Sequence, residues 1–167
     1  MALATIGVTI PSFVIASLLI YVFSYMLNWL PTFGLDSWQG YILPVIALGG
    51  YSVSYIARLM RSSLLEVMGQ DYIRTARAKG LTEFAVVAKH ALRNALIPVI
   101  TYVGPMIAFI ITGSMVVETI FSTGGLGQEF VSAITNRDYT MIMGTTIFLA
   151  VLMVTANLIT DIIYKII

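Results

Sequence analysis

Asp71-Tyr-Ile-Arg-Thr-Ala-Arg-Ala-Lys-Gly80-Leu81-Thr82, followed by Glu83 to Arg93, is the stretch that decides how this chain folds. Most of the molecule's positive charge sits in and just before it. Seven of the nine basic residues (Arg58, Arg61, Arg74, Arg77, Lys79, Lys89 and Arg93) lie there, with only three acids, Glu66, Asp71 and Glu83. Hydrocarbon is excluded for such a segment: each Arg or Lys at a bilayer midplane costs roughly 2.5–3.5 kcal/mol even on the lenient insertion scale. The local signals are those of two short helices around a tight turn. Asp71 suits the N-cap of a helix over Tyr72–Lys79, and Gly80 suits the left-handed position that ends it. Thr82 then reads as the N-cap of a second helix running towards Ala95, with Leu81 and Val86 at hydrophobic-staple spacing.

On both sides of this segment charge nearly disappears. None occurs in Met1–Leu35, Ser37–Ala57, Asn94–Val117 or Tyr139–Thr160. Each stretch is long enough for the ~20 apolar residues that cross a bilayer core. The chain is 59% hydrophobic and 10% charged, whereas a soluble domain carries about 25% charged residues. The expected fold is therefore an all-α integral membrane protein. It is a polytopic bundle of about four transmembrane helices, at residues 4–27, 41–60, 95–118 and 141–163, within a single domain 1–167. Pro11, Pro44, Pro98 and Pro105 do not veto these helices, because neighbouring helices can satisfy the freed backbone groups. By the positive-inside rule, loop 61–94 and both termini are cytoplasmic, and the connections 28–40 and 119–138 face outward. Trp29, Trp38 and Tyr41 bracket the first connection as interfacial aromatics do. Met1 leads straight into apolar residues, with no basic flank and no signal-peptide pattern, so upstream spans are expected to be missing.

Several chemistries are excluded. The chain has no cysteine and one histidine, His90, which removes thiolate sites and leaves a histidine-built metal site without ligands. It contains no HExxH helix, no GxSxG elbow and no GxxxxGK[ST] loop, so no catalytic residue, metal site or ATP cradle is expected in it. A nucleic-acid role for the basic segment is rejected, because a loop tethered at both ends to membrane spans docks poorly in a groove. Two readings of the segment stay open on physics alone. One is a short helix of small and basic residues that seats in a cleft of a partner. The other is a solvated loop that only fixes topology, as in a self-contained channel or intramembrane enzyme.

Asp71-Tyr-Ile-Arg-Thr-Ala-Arg-Ala-Lys-Gly80-Leu81, together with His90-Ala-Leu-Arg-Asn-Ala95-Leu-Ile-Pro98, resembles the cytoplasmic signature of binding-protein-dependent ABC transporter permeases. The dipeptide/oligopeptide/nickel branch is the nearest. The chain departs from the general pattern at Arg74-Thr75-Ala76 and at Leu92-Arg93, and the peptide branch shows those same replacements. Ile10-Pro-Ser-Phe13, Gly113-Ser-Met-Val-Val-Glu-Thr-Ile-Phe121, Gly125-Leu-Gly127 and Asn136-Arg-Asp-Tyr139 extend the likeness over nearly the whole chain. The resemblance implies that Asp71, Tyr72, Ile73, Arg74, Thr75, Ala76, Arg77, Ala78, Lys79, Gly80 and Leu81 form a coupling helix against an ATPase subunit. His90, Arg93 and Asn94 would lie on the second helix of that loop. It further implies a second homologous permease, an extracytoplasmic solute-binding protein, ATP and Mg held by the ATPase partner with no cofactor in this chain, and a multi-pass position in the cell membrane.

The remaining candidates carry less. Glu118, at the outer end of the third expected span, is a possible pathway residue, since an acid at membrane depth is a functional hypothesis by default; solvation or pairing with Arg137 are the alternatives. Asp161 and Lys165 have the spacing of a helical ion pair. Gly125-Leu-Gly127 reads as a turn, and Gly49-Gly50 and Gly113-Ser114 as sites of close helix packing.

Overall fold

The computed structural model describes Gly7 and residues 9–165; the expected start of the first span, at residues 4–6, lies outside them. All regular structure among the described residues is helical. Helix α1 covers Ser12–Met26, with a wider, π-helical second half over Ile20–Met26. A 3-10 turn at Trp38–Tyr41 leads into α2, Ile42–Met68. The basic segment supplies α3, Asp71–Ala78, and α4, Glu83–Ala95. Then come α5 (Ile97–Thr112), α6 (Met115–Phe121), α7 (Leu126–Thr135) and α8 (Tyr139–Tyr164). In the bundle α8 packs on α5, α5 on α2 and α2 on α1.

Two helices, Trp38–Met68 with its leading turn and Tyr139–Tyr164, are each long and apolar enough to cross a membrane. The solvent they are built for shows on the surface of α8. Met143, Ile147, Val151, Val154 and Leu158, spaced three or four apart, are all exposed; a stripe of that kind suits lipid and not water. The close approach of α8 to α5 depends on Gly104. A Cβ there would strike the Thr160 side chain and lie 3.3 Å from the Ala156 carbonyl oxygen.

Three expectations are corrected. The second helix does not stop near residue 60 but runs on to Met68, because Leu64, Val67 and Met68 give its watery end an apolar face to bury. The third span is not one rod over 95–118. It bends by 48° between α4 and α5, where Pro98, in the first turn of α5, offers no amide to the Asn94 carbonyl. It then ends at Gly113, whose φ of +85° breaks the helix before Ser114. Gly49 and Gly50 also differ from expectation, since a Cβ added at either would meet open space. Within the bundle, close approach is found instead at Gly104 and at Gly7, where a Cβ would strike the Ser54 side chain and lie 3.4 Å from the Gly50 carbonyl oxygen.

A core of Ala16, Leu43, Ala47, Val117 and Phe121 joins α1 and α2 to α6. The connection after α1 is tied to the same region by the Gly34 amide, which donates to the Phe121 carbonyl at 3.2 Å. Segment 113–138 is thus held against the bundle.

Candidate functional site

Two places gather the sequence-predicted residues: the basic loop, and the turn around Glu118.

The loop is a folded unit with a core of its own. Ile73 and Ala76 of α3 and Val86 and Ala91 of α4 are buried together, covered by Leu64, Val67 and Met68 from the end of α2. Helix α3 is amphipathic for this reason: Ile73 and Ala76, three apart, turn inward, while Arg74, Thr75, Arg77, Ala78 and Lys79 stay exposed. The N-cap is Gln70 rather than Asp71, and its side chain makes no capping bond. Asp71 occupies the first turn instead, where its charge suits the helix dipole, and its Oδ1 lies 3.4 Å from Arg74 Nη1. Gly80 ends the helix at φ +78°, with its amide donating to the Arg77 carbonyl at 2.9 Å. Thr82 caps α4, its hydroxyl accepting from the Ala85 amide at 3.4 Å.

Polar contacts close the turn. Arg77 Nε donates to Glu83 Oε1 at 2.7 Å and Nη2 to Oε2 at 3.2 Å, a two-pronged bond across the Gly80 corner. That bond raises the Arg77 pKa and holds the Glu83 carboxyl below its ordinary value. Asn94 Nδ2 donates to the Tyr72 hydroxyl at 2.8 Å, tying the start of α3 to the end of α4. His90 is half-buried on α4 and Arg93 is exposed. Among residues that sequence reasoning missed, Phe84 stands out, 83% exposed on the first turn of α4 beside Leu81 at 41%. Its place two residues after Thr82, out of phase with Val86, was the available signal.

Glu118 lies on α6, past the break at Gly113, and is buried. Its Oε2 accepts from the Gln128 amide at 2.7 Å. This makes it the cap of α7, and not a partner of Arg137. Glycines make room for the carboxylate. A Cβ on Gly125 would lie 2.6 Å from Glu118 Cδ, and one on Gly127 would lie 3.1 Å from Oε2 and 2.7 Å from the Met115 amide. A Cβ on Gly113 would strike the same carboxylate. The Gly125-Leu-Gly127 turn is thus built to let a carboxylate approach backbone. Asp138 caps α8 by accepting from the Met141 amide at 3.0 Å. Asp161 and Lys165 are not paired with each other; ion pairs join Asp71 to Arg74 and Arg77 to Glu83. No group of three or more His, Cys, Asp or Glu among those residues could hold a metal ion.

Comparison with known proteins completes the picture. The binding-protein-dependent transport system inner membrane component family matches residues 1–167. The chain belongs to this family. It is 46% identical over 164 residues to a glutathione transport system permease protein of Salmonella typhimurium, covering 98% of this chain and 54% of that protein. With a dipeptide transport system permease protein of Bacillus subtilis it shares 48% over 164 residues, 98% of this chain and 53% of that one. A glutathione permease protein of Escherichia coli K12 is 45% identical over the same length, with 98% and 54% covered. The chain spans about half the length of the curated relatives it matches. These relatives belong to the peptide branch that the loop signature resembles. The family is one of transport components and not of catalysts, and this member is a multi-pass membrane protein.

Proposed function

We propose that this chain is the coupling half of a permease subunit in an ATP-driven importer of short peptides. In this reading the loop 61–94 is cytoplasmic and α3 seats in a cleft of an ATPase subunit. A second homologous permease completes the passage, and an extracytoplasmic binding protein delivers the solute. ATP and Mg belong to the ATPase partner, since this chain has no phosphate-cradling loop.

The observation that carries the reading is the loop's private core. A loop that only fixed topology would need charge and nothing more. Here Ile73 and Ala76 are spent on internal packing with Val86 and Ala91, which stiffens the unit. The surface left outside includes Arg74, Lys79, Leu81 and Phe84, basic residues and exposed apolar groups both. Such a face suits docking on a protein partner. The peptide assignment draws on the relatives, permease proteins of glutathione and dipeptide transport systems.

Gly80 offers the test. A Cβ there meets nothing within 4 Å, so a substitution acts through φ alone. Gly80→Val should impose about 1–3 kcal/mol of backbone strain and open the corner, whereas Gly80→Asn tolerates the left-handed region. In the full-length reconstituted complex, Gly80→Val should lose peptide-stimulated ATP hydrolysis and Gly80→Asn should keep most of it. Full stimulation in the Val variant, or an active permease that needs no ATPase partner, sinks the proposal.

A further inference from the structure

A cleft of about 1280 Å³ opens between α2, α5 and the chain just before α1. It follows α5 from end to end, with lining positions recurring from Ile97 to Ile110 and then Gly113 and Ser114. A helix of that length measures roughly 24 Å, most of a hydrocarbon core of ~30 Å.

The lining differs in kind from the stripe on α8. It includes Tyr51, Ser52, Tyr55, Thr101, Tyr102 and Ser114 and, among the described residues, no charged side chain. On the exposed side of α8 the hydroxyls of Thr146 and Thr155 are each turned back onto a carbonyl one turn earlier, at 2.7 Å. At the middle of the cleft three rings bridge α2 to α5. Tyr51 and Tyr55 stack with centroids 6.2 Å apart, and Tyr55 meets Tyr102 at 4.3 Å. Beside them Pro105 lies within α5, so the Thr101 carbonyl lacks its helical amide donor. The Thr101 hydroxyl is bonded to the Ile97 carbonyl and the Tyr164 hydroxyl, but the tyrosine hydroxyls of the groove are ill matched to lipid tails.

We infer that Tyr51, Tyr55 and Tyr102 are the solute-contact surface of the passage, taking short peptides by their backbone amides and apolar or aromatic side chains. The inference rests on the peptide-permease reading above. The rings offer flat apolar faces with hydroxyl tips, and the Thr101 carbonyl can accept from a peptide N–H. With no fixed charge in the lining the hold is weak, which suits a passage that must also release its cargo. Peptides with charged side chains find no counter-charge on this wall.

The test uses the full-length permease in its complete complex, and the absence of cysteine from this chain makes single-cysteine variants clean here. A membrane-impermeant maleimide should label Tyr102→Cys and spare Val154→Cys on the α8 stripe. Turnover with the dipeptide Ala-Phe should slow the labelling. Tyr55→Ala and Tyr102→Ala should lower Ala-Phe uptake about 2- to 10-fold, the factor an aromatic contact commands, with Tyr102→Phe falling less. Wild-type complex should carry Ala-Phe ahead of Glu-Glu. If Tyr102→Cys is as silent as Val154→Cys, the cleft is filled by lipid or another helix and the inference falls. It falls also if the wild type imports Ala-Phe and the Ala variants import it equally; that result leaves the importer reading intact. A wild-type complex that imports no peptide removes both. Should Tyr102→Ala fail to assemble, the labelling and the Phe variant still decide.

Discussion

The basic loop and the Glu118 turn both hold a short, non-spanning helix against the bundle, and they do it by opposite means. In the loop the charges stay in water and the apolar groups turn in: the Arg77–Glu83 bond lies on the surface while Ile73 and Val86 are fully buried. In the turn a carboxylate is buried, and backbone is brought to it by removing side chains at Gly113, Gly125 and Gly127. The first arrangement tolerates surface change, because exposed ion pairs contribute little. The second leaves no slack, because an unsatisfied buried polar group and a clash with backbone are both costly.

Three substitutions or conditions can break or sharpen this contrast. The largest effect is expected at Gly113→Val, which combines strain at positive φ with collision against Glu118. The cost is about 2–5 kcal/mol, read as lost thermal stability of the detergent-purified protein. Adding Glu118→Ala should return part of it; strict additivity would show that the carboxylate is not what occupies the space. Next comes Ile73→Ala, which should cost about 2–4 kcal/mol within the loop. Protease cleavage between residues 70 and 90 should then speed up while the spans remain intact. Unchanged cleavage would mean that the loop's own core does not hold it together.

The smallest effect concerns pH. The hydrogen bond from Arg77 lowers the Glu83 pKa below its ordinary 4.5. Its stabilisation is therefore fully present above the ordinary carboxyl range and is lost as pH falls through the lowered value. Hydrogen exchange of the loop amides should be flat from pH 8 to 6, after correction for intrinsic rates, and rise slightly only under acid conditions. A marked rise near neutral pH would assign the corner to some other group.

The two long spanning helices were legible because charge is absent over long stretches, and the Gly80 corner because its cues are local: a glycine, a Thr N-cap and a buried Val86 four residues after that cap. What escaped reading was non-local or ambiguous. Glu118 and Gln128 are ten residues apart, and nothing in a linear pattern says that one caps the other across a glycine turn. Pro98 was visible, yet a proline in a membrane helix permits either a straight rod or a bend, and packing chose the bend. The end of α2 was set too early because Arg58 and Arg61 mark where lipid stops and not where the helix does. Leu64, Val67 and Met68 carried the missing signal, at helical spacing.

The 48° angle at Leu96 gives the molecule an elbow with one strut missing, since Pro98 cannot brace Asn94. Below it sits a stiff fist, the loop with its own core; above it runs a forearm that ends at Gly113. The bend therefore sets the loop's core and the groove on different axes: Val86 and Ala91 pack below the elbow, and the groove follows the forearm above it.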